Sequence, residues 1–337
     1  MVRSAEEMNA FSILSLVASD FSYKPSDAIR ELPNPNADTL KSFPDNAQAD
    51  ERSFPVDLVR GLSNSIDSLL HRNITQGDPT VGTFTTIEFD NWVVQKKFNV
   101  PGSGFGAVVF RSLSTHPIDR KYEYIVAFRG TRGPDAINWY DNLDLGAETW
   151  KKDGQQVIDY LRGVTDSAGN PGLDQETLGD IFFTGQSLGG GLAQYGAYEY
   201  ARQQGQAFDA SRITLITFNG FGGVRGLQLM NGGYNPNLIK PVDTRHYVID
   251  NDIVHRLGAG DRSQLAAVGG SWHVNGTGNT YQFDFLQRRN GQVVLASDGR
   301  QLKLFLVDAH RIESGFYDGF ATQEGSEPKY LDTGLRS

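Results

Sequence analysis

A serine at the corner of a glycine-rich turn has the clearest chemical potential in this chain. Ile181 to Ala197 reads IFFTGQSLGGGLAQYGA: an apolar run of β type, a tight Gly-Gln-Ser-Leu-Gly turn, then helix formers. This is the strand–turn–helix context that a G-x-S-x-G nucleophile requires. Gly185 and Gly189 lack a Cβ, so strand and helix can approach closely around the corner and leave the Ser187 hydroxyl exposed. The helix behind it offers backbone N–H groups and a positive dipole end to a developing oxyanion. The competing reading is a glycine-rich turn that happens to hold a serine. In a chain with 38 glycines the bare motif is weak, and the flanking strand and helix are what lift it.

A serine hydroxyl needs a base within hydrogen-bond reach, and that base needs a third group to orient it. Around such an elbow the partners follow in the order Ser, then Asp or Glu, then His. Of the six histidines, only His246, His255, His273 and His310 come after Ser187. His310 is the expected base, because it follows the strand-like QLKLFLV and sits in VDAHRIESGF at a strand-to-helix junction. Its competing reading is a histidine that caps or packs the last helix. His273, in GGSWHVNG, is the main rival, and a hairpin position facing solvent or core suits it better. His246 opens a strand and precedes both candidate acids. Those acids are Asp250 and Asp252 in YVIDNDIVHRLG. Asp252 follows the strand end and can lean toward an imidazole, whereas Asp250 reads as a strand-end or turn residue. His255, three residues past Asp252, is read as a rim residue. For the oxyanion, one donor is the backbone N–H of Leu188, the residue after the nucleophile. The other is assigned to Thr131, in the loop after the strand of EYIVAFRGTRG, where Gly130 permits the turn. A merely basic turn is the competing reading of RGTRG.

The elements that must position these residues follow from the pattern of apolar positions. Residues 5–19 predict an amphipathic helix capped by Ser4. Lys24 to Pro55 is loop chemistry, and 58–71 predicts a second helix. Phe84 to Phe89, Trp92 to Phe98 and Gly106 to Ser112 predict a strand meander leading into the main sheet. Glu123 to Arg129, Ile181 to Thr184, Ile213 to Phe218 and His246 to Ile249 predict buried strands, with helices over 155–164 and 188–204. Alternating strands and helices indicate an α/β fold, a mostly parallel sheet with helices on both faces. Residues 271–285, 292–297 and 301–307 read as a β-rich C-terminal addition, with a last helix from about Ala309. No linker breaks the chain, so residues 1–337 are read as one domain: a helical and loop extension over 1–80, a catalytic core over 81–323 and a tail over 324–337.

Composition narrows the partners. A net charge of −9 argues against a nucleic-acid binder, which needs a basic face, and against electrostatic attachment to anionic membranes. The absence of cysteine excludes disulfides, cysteine metal sites and a Cys nucleophile. The N-terminal stretch, with Glu6, Glu7 and Asp20 around an interrupted apolar run, is not a recognisable signal peptide. No apolar stretch is long enough to span a bilayer. The expected location is either cytoplasmic or outside the cell by a route without a cleaved N-terminal signal.

Taken together, VAFRGT, NW, TGQSLGGGLA, NDIV-x-RL and a late AH resemble the class 3, fungal-type lipases of the α/β-hydrolase superfamily. The resemblance spans residues 124–312. It implies an α/β-hydrolase fold and a triad of Ser187, Asp252 and His310, with Thr131 and Leu188 at the oxyanion. It also implies a short lid at Pro134 to Asn142, whose Ile137, Trp139 and Tyr140 would cover an acyl groove; a surface helix with Trp139 fixed on the core is the equal alternative. The lack of disulfides places the chain nearer bacterial relatives, some of which are phospholipases A1. The usual Pro after NDIV is His255 here, and the usual Pro after T-F-G is replaced in TFNGFGG. The expectation is a metal-independent serine acylhydrolase with no cofactor, acting on a fatty-acyl ester at a lipid–water interface. A triacylglycerol lipase comes first and a phospholipase A1 second; no protein partner is predicted. A non-catalytic binding protein on the same fold and a serine peptidase are the rivals from other classes.

Overall fold

The computed structural model describes residues 5–23, 28–40, 91–100, 104–116, 119–130, 146–205, 208–231, 233–249 and 279–283. Among them, seven strands form one sheet in chain order. They are β1 (Trp92–Asn99), β2 (Gly106–Ser112), β3 (Tyr122–Phe128), β4 (Leu178–Gln186), β5 (Ile213–Phe218), β6 (Asp243–Ile249) and β7 (Asn279–Phe283). β1 to β3 pair antiparallel, as a meander should. From β3 to β7 every pairing is parallel. The expected mostly parallel sheet is present, and the meander is its antiparallel edge. Of the stretch 271–285, expected as part of a β-rich addition, Asn279–Phe283 is described, and it extends the main sheet beside β6. The expected helix at 58–71, the strand at 84–89 and everything expected beyond residue 283 lie outside the described residues.

Side chains alternate between two cores, as the period of a strand dictates. Ile125, Ala127, Phe182, Ile216, Phe218 and Tyr247 face α1 (Ala5–Phe21). Tyr124, Val126, Phe128, Ile181, Phe183 and Leu215 face the other way. That second face is covered by α2 (Gln155–Leu161), α3 (Leu188–Gln204) and α4 (Val224–Asn231). A π-helical turn, Trp150–Gly154, leads into α2. Helices therefore cover both faces. A tight serine corner between β4 and α3 in such a sheet is the strand–turn–helix arrangement of the α/β-hydrolase fold.

The N-terminal helix departs from its amphipathic reading. From Phe11 to Phe21 every described side chain is buried. Its polar positions are mostly serines, small enough to pack against a sheet, and the hydroxyls of Ser12 and Ser19 find partners within the interface. Ser12 and Ser19 donate to the carbonyls of Met8 and Ser15 at 2.8 Å. Ser19 Oγ also lies 2.9 Å from Thr184 Oγ1 on β4, and Tyr247 donates to Ser12 at 2.7 Å from β6. Burial pushes the Tyr247 phenol above its usual range, which keeps it a donor. Phe11 stacks on Phe182 at 4.0 Å, and Phe21 meets Phe110 edge-on at 5.1 Å.

Residues 28–40 were expected as loop and do serve as one, but they also cover the sheet edge. Leu32 and Leu40 donate backbone N–H groups to Val94 and Trp92, and Val94 donates to Asp38. The buried Asp38 carboxylate accepts from the backbone and guanidinium of Arg30, at 2.8 to 3.2 Å. An otherwise open β1 edge is thereby paired.

Burying an aromatic of this size contributes roughly 1.5–3 kcal/mol, and a cavity adds to its loss. Phe21→Ala is therefore expected to lower the unfolding free energy by about 3–5 kcal/mol in urea denaturation. A loss below about 1 kcal/mol would mean that α1 is dispensable to the core.

Candidate active site

The site is built at the carboxyl edge of the parallel strands, where β4 turns into α3. Ser187 occupies that corner with φ 59° and ψ −127°. A non-glycine residue at positive φ is strained by about 1–3 kcal/mol and persists only when its surroundings hold it there. They do so on several sides. The Ser187 N–H donates to the Phe218 carbonyl at the end of β5 (3.0 Å), and its own carbonyl accepts from Gly190 at 3.0 Å. A Cβ on Gly185 would collide with the Gly189 backbone, and one on Gly189 would collide with the Phe128 carbonyl at the end of β3. Both glycines are thus required by close approach, as the sequence indicated.

Leu188 is the first residue of α3 and is buried at 8 % exposure, so the helix begins in a largely dry corner. The first turn of this 17-residue helix carries no acidic residue to neutralise the dipole. The arrangement can stabilise negative charge beside the Ser187 hydroxyl, which is half-buried.

The exit of β3 reaches the same corner. Arg129 is buried and donates to Asn99 Oδ1 and to the Gly104 and Phe105 carbonyls, each at 3.1 Å. It anchors the turn to the β1–β2 hairpin, so the basic character of RGTRG is structural at this position. Gly130 abuts β4, since a Cβ there would sit 2.8 Å from the Gln186 carbonyl. Thr131, the next residue, lies outside the described residues, as do Ile137, Trp139 and Tyr140 of the expected lid.

β6 runs parallel to β4 through β5, so the chain leaves all three strands at the same edge. Asp252 comes three residues after β6 in the sequence and lies outside the described residues; so do His310, His255 and His273. His246 is described. It falls in the middle of β6 rather than at its start, is buried, and has Nδ1 2.6 Å from the Thr217 hydroxyl. Its register partners, Thr217 and through it Gly185, place it two residue positions before the Ser187 level. It is a strand-interior residue. The structure thus brings Ser187, Leu188 and Gly130 together.

Two residues at the corner escaped the sequence reading. Gln194 of α3, fully buried, donates to the Phe221 carbonyl at 2.6 Å and accepts from the Gly223 N–H at 2.8 Å. It ties the loop after β5 to the elbow helix; a lone amide on a face of small and apolar residues was the available signal. Asn219, at φ 47° and fully buried, donates its N–H to the Tyr247 carbonyl. The N-G pair of TFNGFGG was its signal. Among the described residues no group of three or more His, Asp and Glu could hold a metal ion, and no helix is long and apolar enough to cross a membrane.

The family model described as a Tle-like phospholipase domain matches residues 83–278, over half of the chain. Among solved structures, an MDLA variant from Penicillium cyclopium shares 14 % identity, with 84 % of this chain and 82 % of that one covered at a TM-score of 0.43. A triacylglyceride lipase from Rhizomucor miehei shares 16 %, covering 67 % and 79 % at 0.35. Lipase II from Rhizopus niveus shares 12 %, covering 76 % and 94 % at 0.38. No curated protein matches.

The corner can be probed by backbone collision alone. Gly189→Ala is expected to cut the labelling rate of Ser187 by a serine-directed phosphonate roughly 100-fold or more, because the collision is with backbone that cannot swing away. Gly233→Ala, with open space around it, is expected to leave the rate unchanged. Equal labelling of the two variants would remove the close-approach account.

Proposed function

The chain belongs to the Tle-like phospholipase domain family, hydrolases of lipid esters, and from that premise we propose a serine hydrolase that cleaves fatty-acyl esters of phospholipids. The observation that carries the serine chemistry is the strained Ser187 at the start of α3, beside the exits of β3 and β5. The phospholipid preference rests on the family match.

In the proposed reaction the Ser187 hydroxyl attacks the ester carbonyl while the His310 imidazole takes its proton. The carbonyl oxygen, now carrying negative charge, is held by the Leu188 N–H and by Thr131, and by the positive end of α3. The imidazolium returns the proton to the departing alkoxide, and the acyl group stays on Ser187. Water, deprotonated by His310, then attacks this acyl-enzyme and releases the fatty acid. Asp252 holds the imidazole tautomer and stabilises its cation. The segment with Ile137, Trp139 and Tyr140 is assigned the role of an apolar cover over the acyl chain. No step requires a metal or cofactor.

A second reading, triacylglycerol lipase, follows from the resemblance to the class 3 lipases and uses the same residues, so the motifs VAFRGT, TGQSLGGGLA and NDIV do not separate the two. Fatty-acid release from phosphatidylcholine vesicles and from emulsified long-chain triacylglycerol separates the two. Release chiefly from phosphatidylcholine is expected. Removing the nucleophile in Ser187→Ala, or the base in His310→Ala, is expected to lower kcat by roughly 10⁴-fold or more. Faster turnover of triacylglycerol would move the reading to the lipase. Full activity in Ser187→Ala would remove it altogether.

A further inference from the structure

The chain just past α1 reaches the nucleophile from behind. Tyr23, two residues after the last residue of α1, donates its hydroxyl to Gln186 Oε1 at 2.8 Å and lies 3.4 Å from the Gln186 carbonyl. Gln186 is 5 % exposed and directly precedes Ser187. On its other side the Tyr23 ring meets the exit of β3: a Cβ on Gly130 would contact the Tyr23 hydroxyl and lie 3.2 Å from its Cζ. Tyr23 therefore fills the space between Gly130 and Gln186, touching the two backbones that border the Ser187 corner.

The geometry has a mechanical consequence. The Gln186–Ser187 peptide carries the N–H that binds the Phe218 carbonyl, and its orientation sets where the Ser187 Cβ and hydroxyl point. Gln186 has a buried amide. Losing the Tyr23 donor to its oxygen gives that amide reason to turn and take the adjoining peptide with it. The tie is continued along α1 by Ser19 and Ser15, which hold Thr184 two residues further back on β4. Packing alone would need only a ring at position 23. The hydroxyl aimed at Gln186 is the part that packing does not explain.

We propose that Tyr23 is a positioning residue, whose hydroxyl fixes Gln186 and the Gly130 turn so that the Ser187 nucleophile and its oxyanion donors keep their mutual geometry. This rests on the reading of Ser187 as the nucleophile. Tyr23 touches no reacting atom and acts through Gln186.

Tyr23→Phe removes the hydroxyl and keeps the ring. Ser12→Ala is the comparison, because it cuts the hydrogen bond from Tyr247 to another part of α1. With a soluble short-chain ester, Tyr23→Phe is expected to lower kcat about tenfold with KM unchanged within about twofold, as displaced catalytic groups do. The phosphonate labelling rate should fall in parallel. Ser12→Ala should lower the thermal midpoint at least as much while leaving kcat within about twofold of wild type. A Tyr23→Phe kcat equal to wild type, or an equal kcat loss in Ser12→Ala, would overturn the proposal. If the wild-type protein neither cleaves esters nor takes up phosphonate, the nucleophile reading fails on its own. Amide hydrogen exchange over residues 185–191 then decides the positioning: faster exchange in Tyr23→Phe than in Ser12→Ala upholds it, and equal exchange overturns it.

Discussion

The backbone of Ser187 sits where side-chain-bearing residues are reluctant to sit, and the molecule around it is arranged to keep it there. A corner with φ 59° relaxes unless strand, helix and neighbouring strand ends are all fixed. β4 is held from both faces by adjacent residues: Phe182 stacks on Phe11 of α1, and Phe183 faces the side of α3. Next along the strand, Thr184 bonds to Ser19, and Gly185 receives the start of α3 so closely that no Cβ fits. Alternation along a strand is usually read as core against solvent. Here both faces are core, and the alternation assigns successive residues to two helices that fix the same corner from opposite sides.

The two faces achieve this with different chemistry. On the α3 side contact is apolar and glycine-mediated, with backbone nearly touching backbone. On the α1 side it passes through hydroxyl groups of Ser12, Ser19, Thr184 and Tyr247 and through the backbone carbonyl of Ser15. A hydroxyl bonded to the preceding turn of its own helix costs little and still leaves an oxygen able to accept from the sheet. That explains how a helix with so many polar residues can be buried. It also makes the α1 interface directional, since each bond fixes a register between helix and strand that apolar packing alone would leave looser.

What was legible in the sequence follows the same division. The bounds of α3 at 188–204, of β2 at 106–112 and of β5 at 213–218 agree with the pattern reading, because each is an apolar or small-residue run ended by turn chemistry. The elbow was legible because its glycines and serine are local in sequence. The burial of α1 was not: it read as an amphipathic helix, and the partners of Ser19 and Ser12, Thr184 and Tyr247, are 165 and 235 residues away. The pairing of β7 was not legible for a related reason. Asn279–Phe283 looks like one arm of a hairpin between turn residues, and only its pairing with β6 shows it to be a parallel strand. Gln194 and Asn219 carry only weak local signals and Tyr23 none, and their roles arise from where the chain returns.

In the proposed reaction the exits of β3, β4 and β5 must be rigid relative to one another for Ser187 and the groups around it to act together. An aromatic seam joins them. Phe128, the last residue of β3, contacts Trp150 at 5.6 Å; Trp150 contacts Tyr195 of α3 at 6.0 Å; Tyr195 contacts Phe221, just after β5, at 6.4 Å. Trp150 opens the π-helical turn, and a Cβ on Gly154 would enter its indole ring. The wider turn gives the indole room between β3 and α3, a space that a regular helix with a side chain at position 154 would fill. An extra residue in a helix costs backbone hydrogen-bond geometry and is retained where something is gained by it. Here the gain is the wedge itself: with Trp150 seated, α3 cannot slide along the sheet without breaking contact with Phe128 or Phe221. The π-turn, far from the serine in sequence, thus belongs to the same constraint as the glycines beside it.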